Sequence, residues 1–179
     1  MKRTLLLLVL LLFLQSCIPL RVAPKIEDYK VTKGDEFKKS LPEREMFVFE
    51  DPKDINHFYH YIDTKFQLNK ENVYDDVPFK IDGVQYFFSF YEVEISTKKI
   101  NLGGMVVDAM FGAAGIGPVV NDYAHRKGHW YIAIEVYSDT EYDCLMATSL
   151  SREAVLKYLT ALKKEYLTTH NYNETVFTN

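Results

Sequence analysis

The chain of 179 residues carries 21 basic and 25 acidic side chains, a formal net charge of −4, and 47% of it is hydrophobic. That length suits one domain and can bury a real core. The acidic balance argues against nucleic acid, and against general attraction to anionic lipid surfaces.

Lys2 and Arg3 make a short cationic start, and Thr4–Leu14 is an apolar block, almost all leucine. Such a block has the length of a signal-peptide core and is too short to cross a bilayer of ~30 Å. Leu14, Gln15, Ser16 and Cys17 follow as LQSC. These four residues resemble the lipobox of bacterial lipoproteins: a leucine three before the cysteine, a small residue directly before it, then the cysteine. Gln15 departs from the small residues common at its position. The resemblance covers residues 1–17. It implies a signal peptide over 1–16, diacylglycerol on the Cys17 sulfur, cleavage after Ser16, and fatty acylation of the new amino terminus. Ile18 follows the cysteine where an acidic residue would favour the inner membrane. The resemblance therefore implies an outer-membrane anchor facing the periplasm. With Cys17 lipidated only Cys144 remains of the two cysteines, so stability must come from packing rather than a disulfide.

Residues 17–44 read as a flexible tether. Pro19, Pro24 and Pro42 punctuate it, and charges dominate between Lys25 and Lys39. The alternative is an edge strand around Tyr29 to Val31. A single α+β domain is expected over 45–179. Met46–Glu50 is a short apolar strand. Asp51 then looks like a helix N-cap, with Pro52 at the first helical position and Asp54 in the first turn. Ile55, Phe58, Tyr59, Ile62 and Phe66 give an amphipathic helix to about Gln67. Asp82-Gly83 between PFKI and VQYFFSFYEVEI is a type I′ hairpin signal. His129–Tyr137 alternates as a strand, SDTE turns it, and YDCLMATS is expected to return as a second hairpin that includes Cys144. Ser151 then caps a last helix. Its apolar stripe is Val155, Tyr158, Leu159, Leu162 and Tyr166, and its wet side holds Lys157, Lys163, Lys164 and Glu165. The tail ETVF is a candidate edge strand. The expected architecture is α+β: an antiparallel sheet of two hairpins plus short edge strands, with two amphipathic helices packed on it.

Between the hairpins, residues 102–120 form a glycine-rich apolar insertion. One reading makes it a core cover: Asp108 caps a short helix whose Met110 and Phe111 face inward. A second makes it a mobile flap that meets a partner or lipid. A third puts Gly104, Asp108 and Gly112 on a small-residue face that another helix approaches closely.

Few side chains carry a chemical signal. His57 and His60 share a helical face and need a third ligand, such as Asp54 or Asp63, to hold a metal. Asp122, His125 and His129 are a second polar group, and Cys144 a potential nucleophile. Asp75 and Asp76 lack the alternating oxygens of a calcium loop. The glycines after Leu102 do not follow a nucleotide fingerprint. No cofactor and no metal are expected. The sequence thus points to a lipid-anchored cell-envelope protein, held at the membrane through Cys17, that binds an envelope protein or other macromolecule or supports envelope structure. Its alternatives are a small hydrolase-like periplasmic enzyme using His125, His129 or Cys144, and a periplasmic immunity or inhibitor lipoprotein.

Overall fold

The computed structural model describes residues 17–21, 23–53, 56–101 and 124–173. Their order is β1 (Cys17–Arg21), β2 (Lys30–Lys33), α1 (Gly34–Phe37), β3 (Glu45–Asp51), α2 (His57–Phe66), β4 (Val77–Ile81), β5 (Val84–Asn101), β6 (Ala124–Tyr137) and α3 (Arg152–Thr168). The strands form one sheet in the order β1-β5-β6-β3-β2, with β4 also paired to β5. The fold is α+β with an antiparallel sheet, as the sequence implies.

The described residues divide into two compact units. One takes in what is described of Met1–Pro24 and Glu94–His129. In it, β1 runs antiparallel to the end of β5, pairing Cys17 with Asn101 and Ile18 with Ile100. Gly128 lies close to the Glu94 side chain, whose Oε1 would be 2.5 Å from a Cβ there. The other unit, Lys25–Val93 with Trp130–Asn179, holds the core.

In the larger unit β3 pairs antiparallel with β6, Phe47 opposite Ile134 and Phe49 opposite Ile132. These side chains meet Phe88 and Phe90 of β5, Phe58, Tyr61 and Ile62 of α2, and Val155, Leu159, Leu162 and Tyr166 of α3. Phe58 is the hub: its ring stands edge-on to Phe90 at 4.8 Å and to Tyr166 at 4.9 Å. The opposite face of β3 and β6 is buried too, at Met46, Val48, Tyr131 and Ala133. There the Phe37 ring meets Tyr131 edge-on at 5.2 Å.

Local chemistry explains most boundaries. The β4–β5 hairpin closes through Asp82 (φ 49°) and Gly83 (φ 83°), with Ile81 paired to Val84. Both turn residues are left-handed, as a type I′ turn demands. α2 ends at a left-handed Gln67, whose N–H donates to the carbonyls of Asp63 and Thr64. On α3, Val155, Leu159, Leu162 and Tyr166 are buried and Tyr158 packs against the core. Lys163, expected on the wet side, is buried: its ammonium reaches the carbonyl and carboxylate of Asp28.

Four expectations are corrected. The tether does not extend to residue 44. Lys30–Lys33 pairs with Glu45–Val48, Tyr29 stacks on Phe47 at 4.6 Å, and Val31 packs against the core; the edge-strand alternative is what forms. Asp51 is not a helix cap. It is the last residue of β3, its carboxylate accepts the Lys53 N–H at 3.0 Å, and α2 starts at His57 after a left-handed Asn56. Tyr142–Ser149 is a run of turns and bends, not a return strand. Glu141 organises it, accepting from Ser149 Oγ at 3.0 Å and the Leu150 N–H at 3.3 Å. Ser151 precedes α3 without a side-chain cap, its hydroxyl instead accepting from Tyr86 at 3.1 Å. Asp54, Ile55, the insertion 102–120 and the tail 174–177 lie outside the described residues.

The N-terminal segment can be tested at Gly34, whose N–H donates to the Arg44 carbonyl at 2.9 Å. A Cβ there would lie 2.4 Å from the Pro42 carbonyl oxygen and 2.8 Å from the Met46 side chain. Gly34→Ala is therefore expected to cost about 1–3 kcal/mol, as overpacking does. Urea unfolding of the variant measures it. A wild-type midpoint would mean that residues 30–44 are not folded onto β3.

Candidate functional site

Beyond Phe49 and Ile132 the next pair on the same face of β3 and β6 is Asp51 opposite Trp130. On β5, the residue after Phe90 on that face is Glu92. Apolar sheet gives way to carboxylates within one step of the alternation. Two carboxylates and an indole thus stand where the sheet continues past the helix termini.

Glu92 stands at the start of α2. That helix has no acidic residue in its first turn and no side-chain cap from Asn56. The Asn56 N–H donates to Glu92 Oε2 at 3.4 Å, and the Tyr59 N–H also favours the charged carboxylate. Glu92 caps the helix from another strand and complements its dipole. Its other oxygen, Oε1, is buried without a hydrogen-bond partner among the described residues. Burial above all, and then the charge of Asp51, raise the Glu92 pKa against the pull of those N–H groups and of His60. A buried acceptor without a partner costs about 1–3 kcal/mol. Glu92 lines an open depression with Asn56, Tyr74, Asp75, Phe90, Tyr91 and Trp130. Tyr74 is 41% exposed and Trp130 half-buried.

Asp51 forms the second half of the cluster. The Tyr166 hydroxyl sits 3.0 and 2.9 Å from its two oxygens. Burial raises its pKa, opposed by the Lys53 N–H, Tyr166, and the charges of Lys53 and His57. The Lys53 ammonium donates to the carbonyls of Tyr166 and Thr169, the latter at 2.8 Å, and so caps the C-terminus of α3. It also lies 4.3 Å from the centre of the Tyr166 ring. Burial lowers its pKa. His57 Nδ1 and the Tyr172 hydroxyl are 3.0 Å apart.

On the opposite face, Tyr91 joins the depression to a buried ion pair. Its hydroxyl donates to Glu135 Oε1 at 2.8 Å. Arg44 Nη1 lies 3.2 Å from Glu135 Oε2, and its guanidinium sits over the Tyr142 ring at 3.6 Å. The Glu135 side chain is only 8% exposed. Arg44→Ala would strand that charge and is expected to cost about 3–5 kcal/mol, measured by urea unfolding. Wild-type stability would show that Glu135 does not need its partner.

The residues singled out in the sequence are mostly not assembled. His57 and His60 are both exposed, and His57 is spent on Tyr172. Asp63 accepts the Lys70 N–H at 2.7 Å instead of facing a metal. Among the described residues no three His, Cys, Asp or Glu side chains could hold a metal ion. Cys144 is buried in a loop, its thiol facing the Glu141 carbonyl at 3.8 Å. Burial, and then the charge of Glu141, push its pKa up to about 11. That is the wrong direction for a nucleophile. Asp76 accepts from the Tyr137 hydroxyl, and Asp75 lines the depression. His125 and His129 lie on β6, and Cys17 on β1; the side chains of Cys17 and His125 lie outside what is described. Ser16, Asp108, Met110, Phe111 and Asp122 lie outside the described residues. Glu92, Asp51, Trp130 and Tyr74 escaped the sequence reading. The only local sign was Glu92 on the helix face of a strand, two positions from Phe90.

Asp51 gives a pH test. Its folded pKa is raised, so the folded state binds more protons than the unfolded chain from the ordinary carboxylate range upward. Its contribution to stability therefore falls as pH rises through that window and is level above it. Asp51→Asn removes the titration. The stability difference, wild type minus variant, should fall between about pH 4 and neutrality. Urea unfolding across that range reads it, and a flat or rising difference would refute the assignment. No family model, curated protein or solved structure matches this chain.

Proposed function

We propose that the protein is held at a bacterial envelope membrane by lipid on Cys17, faces the periplasm, and binds a macromolecular partner. The LQSC sequence at Leu14–Cys17 supports the anchor. The observation that carries the binding role is the depression around Glu92, where Tyr74, Tyr91 and Trp130 stand beside Glu92 and Asp75. Tyrosine and tryptophan give interfaces much of their contact area at small entropic cost. No described helix is long and apolar enough to cross a membrane, so none of these helices supplies the attachment.

Two acyl signals hold a protein far more firmly than one chain, enough for stable membrane attachment. Cys17→Ala should abolish fatty-acid labelling and leave the precursor uncleaved, read by metabolic labelling and mass spectrometry. Cleavage after Ser16 with release of a normal soluble product would reject the anchor. For the binding role, a photoactivatable residue replaces Tyr74 or, as a control, the exposed Lys157 on α3. In intact cells the position 74 variant should give a discrete crosslinked band that the position 157 variant does not. The same adducts from both positions, or none from position 74, would reject the depression as the binding surface.

A further inference from the structure

The depression is selective in what it offers. Its lining combines Tyr74, Phe90, Tyr91 and Trp130 with the carboxylates of Glu92 and Asp75, and among the described residues it contains no cationic side chain. Glu92 is held in place because one oxygen caps α2. Its second oxygen is buried without a partner among the described residues. It lies within the wall, where water screens its charge least. Aromatic faces carry negative potential, so rings and carboxylates favour the same charge. The Glu92 charge lies behind the lining, so it attracts a cation across the wall, and the rings add to the same preference. The chain as a whole is acidic, with 25 carboxylates against 21 basic groups, which steers basic partners in and anionic ones away.

Building on the binding role assigned to this depression, we propose that it receives a lysine or arginine side chain of a basic partner protein. The aliphatic stem lies against Tyr74 and Trp130, and the ammonium or guanidinium group sits over the rings and beside Glu92. Asp75, exposed at the rim, adds attraction but not position.

Trp130 is the only tryptophan of the chain and lines the depression, so its fluorescence reports occupancy directly. The purified chain is titrated with the N-acetyl, N-methylamide derivatives of lysine, arginine and norleucine, and with choline. Lysine or arginine should give a saturable change at millimolar concentration, and norleucine none. Glu92→Gln should weaken the effect about 10-fold, as loss of a weakly screened charge close to the cation implies. Because Glu92 also caps α2, Tyr74→Ala is the second variant. It removes a part-exposed ring that packs on Tyr59 and Phe90 but leaves the cap on α2 intact; the variant should stay folded, checked by its melting curve, and weaken cation binding several-fold. Equal responses to norleucine and lysine, or no saturable response to either basic derivative, would overturn the proposal. Choline binding tenfold tighter than both would overturn it too, by pointing to a free quaternary ammonium compound. None of these outcomes touches the anchor. Crosslinking at position 74 without cation binding would leave the binding surface standing and remove only the basic side chain as its occupant.

Discussion

The structure depends on one constraint: the central strands are buried on both faces, yet they carry carboxylates that must find donors there. From Tyr131 to Val136 every residue of β6 is buried, Glu135 included. Asp51 ends β3 in the same condition. Tyrosine answers this repeatedly. Tyr166 donates to Asp51 and Tyr91 to Glu135 on the strands; away from the central strands, Tyr61 donates to Glu165 on α3 and Tyr137 to the exposed Asp76 before β4. Each ring fills apolar space while its hydroxyl reaches the carboxylate at the edge of that space. Lys65 adds an ion pair to Glu165 at 2.9 Å, tying α2 to α3. The aromatic core and the polar network are therefore the same side chains. A phenylalanine in place of Tyr91 or Tyr166 would keep the packing and take one donor from a buried carboxylate.

What could be read from the sequence was what local chemistry decides. Asp82-Gly83 makes its turn from two φ angles alone. The stripe from Phe58 to Phe66 and the one from Val155 to Tyr166 need only a period of 3.6. β2 was hidden because four residues, two of them lysine, cannot show an alternation; its apolar evidence is Val31 and the neighbouring Tyr29. Asp51 has the residue type of an N-cap, and its carboxylate does accept a nearby N–H. The left-handed turn at Asn56, which delays the helix, leaves no mark in residue type. Cys144 sits among residues of strand-like composition and its N–H does reach the Val136 carbonyl of β6, but the chain then turns away, with Glu141 accepting from Ser149 and Leu150. The site itself was least legible. Glu92 meets Asn56 across 36 positions and Tyr166 meets Asp51 across 115, and no window of sequence contains both partners.

That separation also explains why the candidate site lies where it does. A helix end needs a partner for its unpaired backbone groups, and here strands supply both. Glu92 of β5 serves the N-terminus of α2; Lys53, just past β3, serves the C-terminus of α3. Each carries the sign that the helix dipole favours. The polar row on the sheet is therefore first a structural device that closes two helices. The two caps are not equivalent. Lys53 spends its ammonium on two carbonyls and the Tyr172 hydroxyl and is covered by the Tyr166 ring. Glu92 spends one oxygen and keeps the other, beside rings that stay partly exposed. Removing a ligand from such a site would not unfold it, because the helix holds the carboxylate in place. The cap fixes the carboxylate before any partner arrives, so little ordering entropy remains to be lost on binding. On the proposed reading, a charge needed for folding is also the one that meets the partner.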